Sequence, residues 1–146
     1  MTMNPAPSLT EKAEAIARRA HHGQFRRDGV TPYITHPESV ARRLRGDWDP
    51  VTAVAWLHDV LEDTVETVES LTVLGLPHHI IESVQALTKK EGQSYRDYLI
   101  EVKGNETARK VKIADMLDNL SDSPTKKQIV KYARGLLFLL DESETP

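Results

Sequence analysis

An apolar run from Ala53 to Leu61 is interrupted at its centre by His58 and Asp59, and it ends on Glu62 and Asp63. Ala53, Val54, Ala55, Trp56, Leu57, Val60 and Leu61 describe a buried helix, yet four ionisable side chains occupy the six positions 58–63. Each polar group buried without a partner costs on the order of 2–7 kcal/mol. A fold that keeps this segment inside must therefore compensate it, and a bound cation does so with the fewest groups. On a continuous helix His58 and Glu62 stack at i,i+4, and Asp59 and Asp63 stack one residue further round. The histidine–aspartate pair is then available to an ion, and the acidic pair one turn on to water or substrate. The competing reading is a helix whose charged end runs into solvent at Glu62 and Asp63.

Every periodic segment of the chain has helical spacing, and no alternating strand pattern occurs. Ser8-Leu9-Thr10-Glu11 has the form of a capping box and opens a helix to about Ala20. A loop with Gly23, Gly29 and Pro32 follows. Thr35-His36-Pro37-Glu38 reads as a second capping box, for a helix to about Arg45. Asp49-Pro50 opens a third helix, expected to run through His58 and Asp59 to about Glu62. Short helices are expected over 67–74 and from Pro77 to about Leu87, then over 94–103 and 106–120, with stops at Gly75 and Gly104. Pro124 starts a last helix to about Leu140, followed by a frayed tail over 141–146. The expectation is a compact all-α bundle of about seven or eight helices, forming one domain over 1–146.

Composition narrows the function. The 146 residues carry a net charge of −3, against a general nucleic-acid or membrane-surface binder. No cysteine is present, so any metal must be held by histidine and carboxylate. The N-terminus lacks the pattern of a secretion signal and no apolar run is long enough to span a membrane, which points to a cytoplasmic location. The run Leu136 to Leu140 is either core or the surface of a homodimer.

Two further clusters can join His58 and Asp59. His36 stands at the start of the second helix, either as a ligand or as a surface capping residue. On 106–120, Asp115 and Asn119 lie at i,i+4 beside an apolar face of Val111, Ala114, Leu117 and Leu120, either as a ligand pair or as part of a solvated stripe. His36, His58, Asp59 and Asp115 together offer two imidazoles and two carboxylates, a mixed donor set that suits Mn²⁺, Fe²⁺ or Zn²⁺. Open positions for water require five or six coordination, which favours Mn²⁺ over a closed tetrahedral zinc site. Arg26 and Arg27 are the natural contacts for a phosphate or a flat ring, with Lys112 weaker in the same role; their alternative is solvated loop and helix cations. His21 is expected to face inward, and His78-His79 to lie on the surface.

The segments Ala20-His21-His22-Gly23-Gln24-Phe25-Arg26-Arg27, Pro32-Tyr33-Ile34-Thr35-His36-Pro37, Leu57-His58-Asp59-Val60-Leu61-Glu62-Asp63-Thr64 and Lys112-Ile113-Ala114-Asp115 with Asn119 occur in this order. In that order they resemble the hydrolase domain of the RelA/SpoT homologues, HD-superfamily enzymes that remove pyrophosphate from the 3′ position of (p)ppGpp. The resemblance implies an HD-type helical bundle, with His36, His58, Asp59 and Asp115 as Mn²⁺ ligands and Glu62 and Asp63 as the catalytic acidic pair. It also implies that Arg26 and Arg27 contact the purine and the 5′ phosphates, and that Asn119 lines the nucleotide pocket.

Three departures accompany the resemblance. The turn Gly29-Val30-Thr31-Pro32 is one residue longer than in the bifunctional enzymes and closer to the small stand-alone hydrolases. Met116 and Asp118 stand where the family more often has a basic residue and a His or Tyr, a change expected to weaken binding of a highly anionic nucleotide or to shift substrate choice. The length leads to the expectation of a hydrolase-only chain, with part of the substrate wall absent or supplied by a second subunit. The alternatives to (p)ppGpp hydrolysis are an HD phosphohydrolase acting on an adenosine alarmone or NADPH, and a nucleotide-binding module without catalysis.

Overall fold

A computed structural model describes residues 5–141. Among them the architecture is all helical: α1 (Leu9–Ala20), α2 (Thr35–Arg43), α3 (Asp49–Leu57), α4 (Val60–Asp63), α5 (Val68–Val73), α6 (His78–Ala86), α7 (Tyr95–Lys103), α8 (Glu106–Leu120) and α9 (Lys126–Leu139). No helix among these residues is long and apolar enough to cross a membrane.

The middle of the bundle is α3. Seven of its nine residues are buried, Pro50, Val51 and Ala53 through Leu57. A helix apolar on every side must be surrounded, and α3 packs against α1, α2, α6 and α8. Outside it, α8 packs on α7 and α9. The last pair approaches closely because residue 135 is glycine: a Cβ there would stand 2.7 Å from Met116 Cε. Met116 is fully buried at this contact and so belongs to the core, away from the substrate position that its sequence register suggested. The Leu136–Leu140 run divides with helical period: Phe138 and Leu139 are buried, whereas Leu137 and Leu140 are exposed.

Local caps agree with the sequence at most starts. Ser8 and Glu11 form the capping box of α1, Ser94 accepts from the Asp97 amide, and Asn105 accepts from the Ala108 amide. The last helix is capped by Thr125 in a box with Gln128, one residue beyond the expected Pro124.

Two starts differ. Thr35 does not cap α2: the chain is already helical at Ile34, and the Thr35 hydroxyl donates back to the Pro32 carbonyl at 2.8 Å. The expected third helix is two helices, which brings the count to nine among the described residues. Its break falls on His58 and Asp59, where the His58 Nδ1–H donates to the Ala55 carbonyl at 2.7 Å, the acceptor that the next helical amide would use. Asp59 then turns at φ −106° and ψ 1° before α4 begins.

Residues 24–33 form a tight reversal tied by an isolated antiparallel bridge between Phe25 and Pro32. Asp28 accepts from the amides of Val30 and Thr31, and Gly29 supplies the positive φ of +72°. This reversal places Arg26, Arg27 and Tyr33 at the end of the bundle where His36 and His58 meet. Of the expected frayed tail, Asp141 is held by Lys103 at 2.8 Å; 142–146 lie outside the described residues.

Candidate metal and phosphohydrolase site

Four elements converge on one point: the first turn of α2, the α3–α4 break, the loop carrying Tyr33, and the middle of α8. His36 projects from α2 and is buried between two carboxylates of α8. Its Nδ1 lies 2.8 Å from Asp118 Oδ2 and its Nε2 2.8 Å from Asp115 Oδ1. Asp118 is fixed in turn by the hydroxyl of Ser39 and by Arg43 Nε at 3.2 Å, both on α2. Asp115 Oδ2 accepts from Lys112 Nζ at 2.8 Å, and Asp115 Oδ1 accepts from Asn119 Nδ2 at 3.2 Å.

His58 enters from the end of α3. Because its Nδ1–H is spent on Ala55, Nε2 is the nitrogen that faces the cluster, and this buried atom has no hydrogen-bond partner. It lies 3.1 Å from Asp59 Oδ2 and 3.5 Å from Asp115 Oδ1. Asp59 Oδ2 is 3.8 Å from His36 Nε2 and accepts a 2.6 Å hydrogen bond from the Tyr33 hydroxyl.

These distances fit a divalent cation. Ligand atoms bonded at about 2.1 Å around an octahedral ion lie about 3 Å apart when adjacent. Single donor atoms of His36, His58 and Asp115 all fall within 4.8 Å of one another. The orphaned His58 Nε2 is the atom that such an ion would satisfy, and Asp118 and the Ala55 carbonyl orient the two imidazoles from behind as second partners of metal-binding histidines do.

Charge follows the same logic. Burial works against the charged form of both imidazoles, but the bonds from His36 to Asp115 and Asp118 outweigh it and raise His36. For His58, Asp59 and Asp115 outweigh burial and raise it well above its ordinary value. Burial would raise Asp115, yet Lys112 and the two imidazoles hold it well below the carboxylate range. Asp59 is likewise brought down to about 2, the imidazolium of His58 outweighing burial. Asp118 also falls to about 2, where hydrogen bonds from His36 and Ser39 overcome burial.

Glu62 and Asp63 behave in the opposite way. They sit on α4 at the exposed edge of the cluster, and carboxylate oxygens of Asp59, Glu62 and Asp63 lie within 4.8 Å of one another. Burial of their carboxyl groups and the adjacent charge of Asp59 raise both. Glu62 Oε1 accepts from the Lys89 amide at 3.1 Å, and the Asp63 carbonyl accepts from Gln24 Nε2 at 2.7 Å. Gln24 is itself fixed by His21 Nδ1 at 2.8 Å. The helix break thus redistributes the expected i,i+4 stacks. His58 joins His36 and Asp115, while Asp59 stands between that group and the acidic pair.

A pocket of about 150 Å³ opens beside His36, lined by Arg26, Arg27, Tyr33, Asn119, Asp122 and Gln128. Arg26 is anchored to Asp122 at 2.7 Å, whereas Arg27 is exposed. Lys112 and Asn119, expected at the substrate, direct their polar atoms to Asp115. Asp118, expected to alter the substrate pocket, has its charge taken up by His36, Ser39 and Arg43. Tyr33, Ser39, Arg43 and Gln24 belong to the site as well and were not read from sequence. For Gln24 and Tyr33 the signal was present, since both fall inside the motif segments.

No protein-family model matches the chain. Among curated proteins, it is similar to a probable GTP pyrophosphokinase of Mycobacterium leprae, 31% identical over 145 residues, covering 88% of this chain and 18% of that protein. It is 38% identical over 89 residues to the bifunctional (p)ppGpp synthase/hydrolase SpoT of Escherichia coli, covering 59% of this chain and 12% of the relative. A guanosine-3′,5′-bis(diphosphate) 3′-pyrophosphohydrolase of Haemophilus influenzae is 56% identical over 59 residues, covering 38% and 8%. The chain therefore spans less than a fifth of the length of these relatives. Among solved structures, a metazoan orthologue of SpoT described as hydrolysing ppGpp superposes with a TM-score of 0.76 at 24% identity, over 95% of this chain and 88% of the other. At that identity the superposition is a likeness of fold. Over the part of their length that it spans, the chain is thus similar in sequence to RelA/SpoT-type proteins, and it shares the helical fold of the metazoan SpoT orthologue.

Proposed function

We propose that the chain hydrolyses the 3′-pyrophosphate of (p)ppGpp, giving GDP or GTP and pyrophosphate, in a manganese-dependent reaction. The observation that carries this reading is geometric: single donor atoms of His36, His58 and Asp115 lie within 4.8 Å of one another around the unpartnered His58 Nε2, and carboxylate oxygens of Asp59, Glu62 and Asp63 lie equally close together beside them. Asp59 and Asp115 are depressed among imidazoles, and Glu62 and Asp63 are raised at the open edge. Ligands need the first property and a proton acceptor the second.

A divalent cation held by His36, His58, Asp59 and Asp115 would supply Lewis-acid polarisation of a phosphoryl oxygen and lower the pKa of a water. The four nitrogen and oxygen donors, without sulfur, favour manganese with open positions. Glu62 and Asp63 orient the attacking water and take its proton. Attack falls on the phosphorus bonded to the 3′ oxygen, in line with that bond. The P–O3′ bond breaks, the proton passes to the 3′ oxygen, and pyrophosphate leaves. Arg27 offers an uncommitted guanidinium to phosphate or to the purine face, and Arg26, locked on Asp122, keeps the loop in place.

Because the charge of Asp118 is spent on His36, the departure at that position gives no reason to favour an adenosine alarmone or NADPH. The test is pyrophosphate release from ppGpp by the Mn²⁺-loaded chain, with ppApp and NADPH assayed on the same sample. Release from ppGpp that EDTA abolishes is expected. Folded, metal-loaded protein that releases nothing from ppGpp overturns the reading.

A further inference from the structure

The two residues of the acidic pair are anchored unequally. Glu62 has a partner for its side chain, the Lys89 amide at 3.1 Å. Among the described residues nothing donates to the carboxylate of Asp63. Its hydrogen bond to another part of the molecule runs through the main chain, where Gln24 Nε2 donates to the Asp63 carbonyl at 2.7 Å.

That bond matters because α4 is a single turn. It is closed by the Asp63 amide on the Asp59 carbonyl at 2.9 Å and by the Thr64 amide on the Val60 carbonyl at 3.2 Å, and Val60 is its one buried residue. So short a helix gains little from propagation and keeps its direction where other elements grip it. Gln24 grips its last residue, at a carbonyl with no partner inside the helix.

Gln24 is itself fixed at three points. Its amide donates to the His21 carbonyl at 3.0 Å, its carbonyl accepts from the Tyr33 amide at 2.8 Å, and its Oε1 faces His21 Nδ1 at 2.8 Å. Because Gln24 Nε2 is the donor to Asp63, Oε1 is the acceptor toward His21, and His21 Nδ1 carries the hydrogen of that bond. The imidazole is buried at the end of α1, with the Tyr33 ring 5.0 Å away and tilted by 47°. Its Nε2 has no hydrogen-bond partner. An unpaired ring nitrogen in the interior is unfavourable, and an apolar side chain would fill the space without one. What the imidazole supplies that an apolar side chain cannot is the Nδ1–H that holds the Gln24 amide in one orientation.

We propose that His21 is a positioning residue for the acidic pair. Through Gln24 it fixes the main chain at Asp63, and so sets where the Asp63 carboxylate stands relative to the metal ligands, whereas Glu62 is set separately through Lys89. The proposal rests on the reading given under Proposed function. Among the described residues neither His21 nor the Gln24 side chain hydrogen-bonds to His36, His58, Asp59 or Asp115. Loss of the relay therefore acts on the chemical step rather than on metal or substrate binding.

The experiment has two arms, both on the 146-residue chain. In the first, Gln24→Leu, His21→Leu and His21→Asn are compared with wild type in turnover of ppGpp. Asparagine places an amide nitrogen near the position of Nδ1 and restores the donor to Gln24, which leucine does not. The expected kcat is lower by about 10–100-fold in Q24L and about tenfold in H21L, and within about threefold of wild type in H21N, with KM and Mn²⁺ affinity little changed. In an Asp63→Asn background, adding Q24L should lower kcat by less than a further threefold or so, because the carboxylate it positions is already gone. A full additional loss of about 10–100-fold in that background overturns the proposal. So does a loss of Mn²⁺ affinity as large as the loss of turnover, or H21N as impaired as H21L.

The second arm needs no substrate. Hydrogen exchange at the Asp63 and Thr64 amides is followed by NMR in the EDTA-treated chain. Exchange about tenfold faster in Q24L and H21L, with the amides of α3 unchanged, upholds the relay. Unchanged exchange at these two amides overturns it, as does acceleration that spreads through α3. If wild type does not turn over ppGpp, the functional reading falls by itself, and the exchange arm still decides whether His21 holds Asp63 in place.

Discussion

The two acidic groups at the heart of the molecule are neighbours with opposite chemistry. Asp59 and Asp115 lie among imidazoles and an ammonium, and they stay charged well below the usual carboxylate range. Glu62 and Asp63, one short helix away, face a like charge and are pushed up. The contrast arises from architecture. Asp115 is gripped by side chains from α2 and α8, whereas Glu62 and Asp63 receive backbone anchoring through Lys89 and Gln24. Carboxylates whose anionic form is favoured suit a cation; carboxylates whose affinity for a proton is raised suit a water.

Substitutions can break this division. The largest effect is expected at Asp59, which is both next to His58 and next to the acidic pair. Asp59→Asn should abolish tight Mn²⁺ binding by calorimetry and lower turnover by about 10³-fold or more. Asp118→Asn removes the carboxylate behind His36 without touching the open edge. It should weaken Mn²⁺ binding about 10–100-fold while kcat at saturating metal changes much less. Metal affinity equal to wild type would show that the Asp118–His36 contact carries no tuning.

Much of the fold was legible because it is local. Ser8, Ser94 and Asn105 declare helix starts within four residues of sequence, and the apolar run of α3 announces a buried element. The break at His58–Asp59 was not legible, because helical period continues through it and only the His58–Ala55 bond shows where the backbone turns. Thr35 failed as a cap for a related reason: the preceding loop enters already helical, a property of the Phe25–Pro32 reversal. Of the site, the motif residues could be grouped by type and spacing. The partners that give them their charge could not, since Asp118 meets His36 across 82 positions and Tyr33 meets Asp59 across 26. Asp118 is the instructive case, a carboxylate that in sequence looks aimed at substrate and in space is committed to a histidine.

Acidity sharpens the comparison further. His36 and His58 are raised, so each holds its proton to higher pH than a free imidazole, and a cation must displace it. Mn²⁺ affinity should therefore fall as pH is lowered, beginning above the ordinary value of about 6.5 and approaching tenfold per pH unit for each proton displaced. Calorimetry in buffers of different ionisation enthalpy should count between about one and two protons released on binding at neutral pH; none released would contradict the raised imidazoles. The smallest effect is expected at Ser39. Ser39→Ala leaves Asp118 with Arg43 and His36, and should weaken metal binding by about fivefold.

The division of labour between the two carboxylate sets is tested most directly by Glu62→Gln, with Mn²⁺ affinity and turnover of ppGpp measured on the same preparation. Affinity within about threefold of wild type, with kcat lower by about 10²–10⁴-fold, is the expected result. Loss of metal binding together with turnover, or turnover that survives, would contradict it.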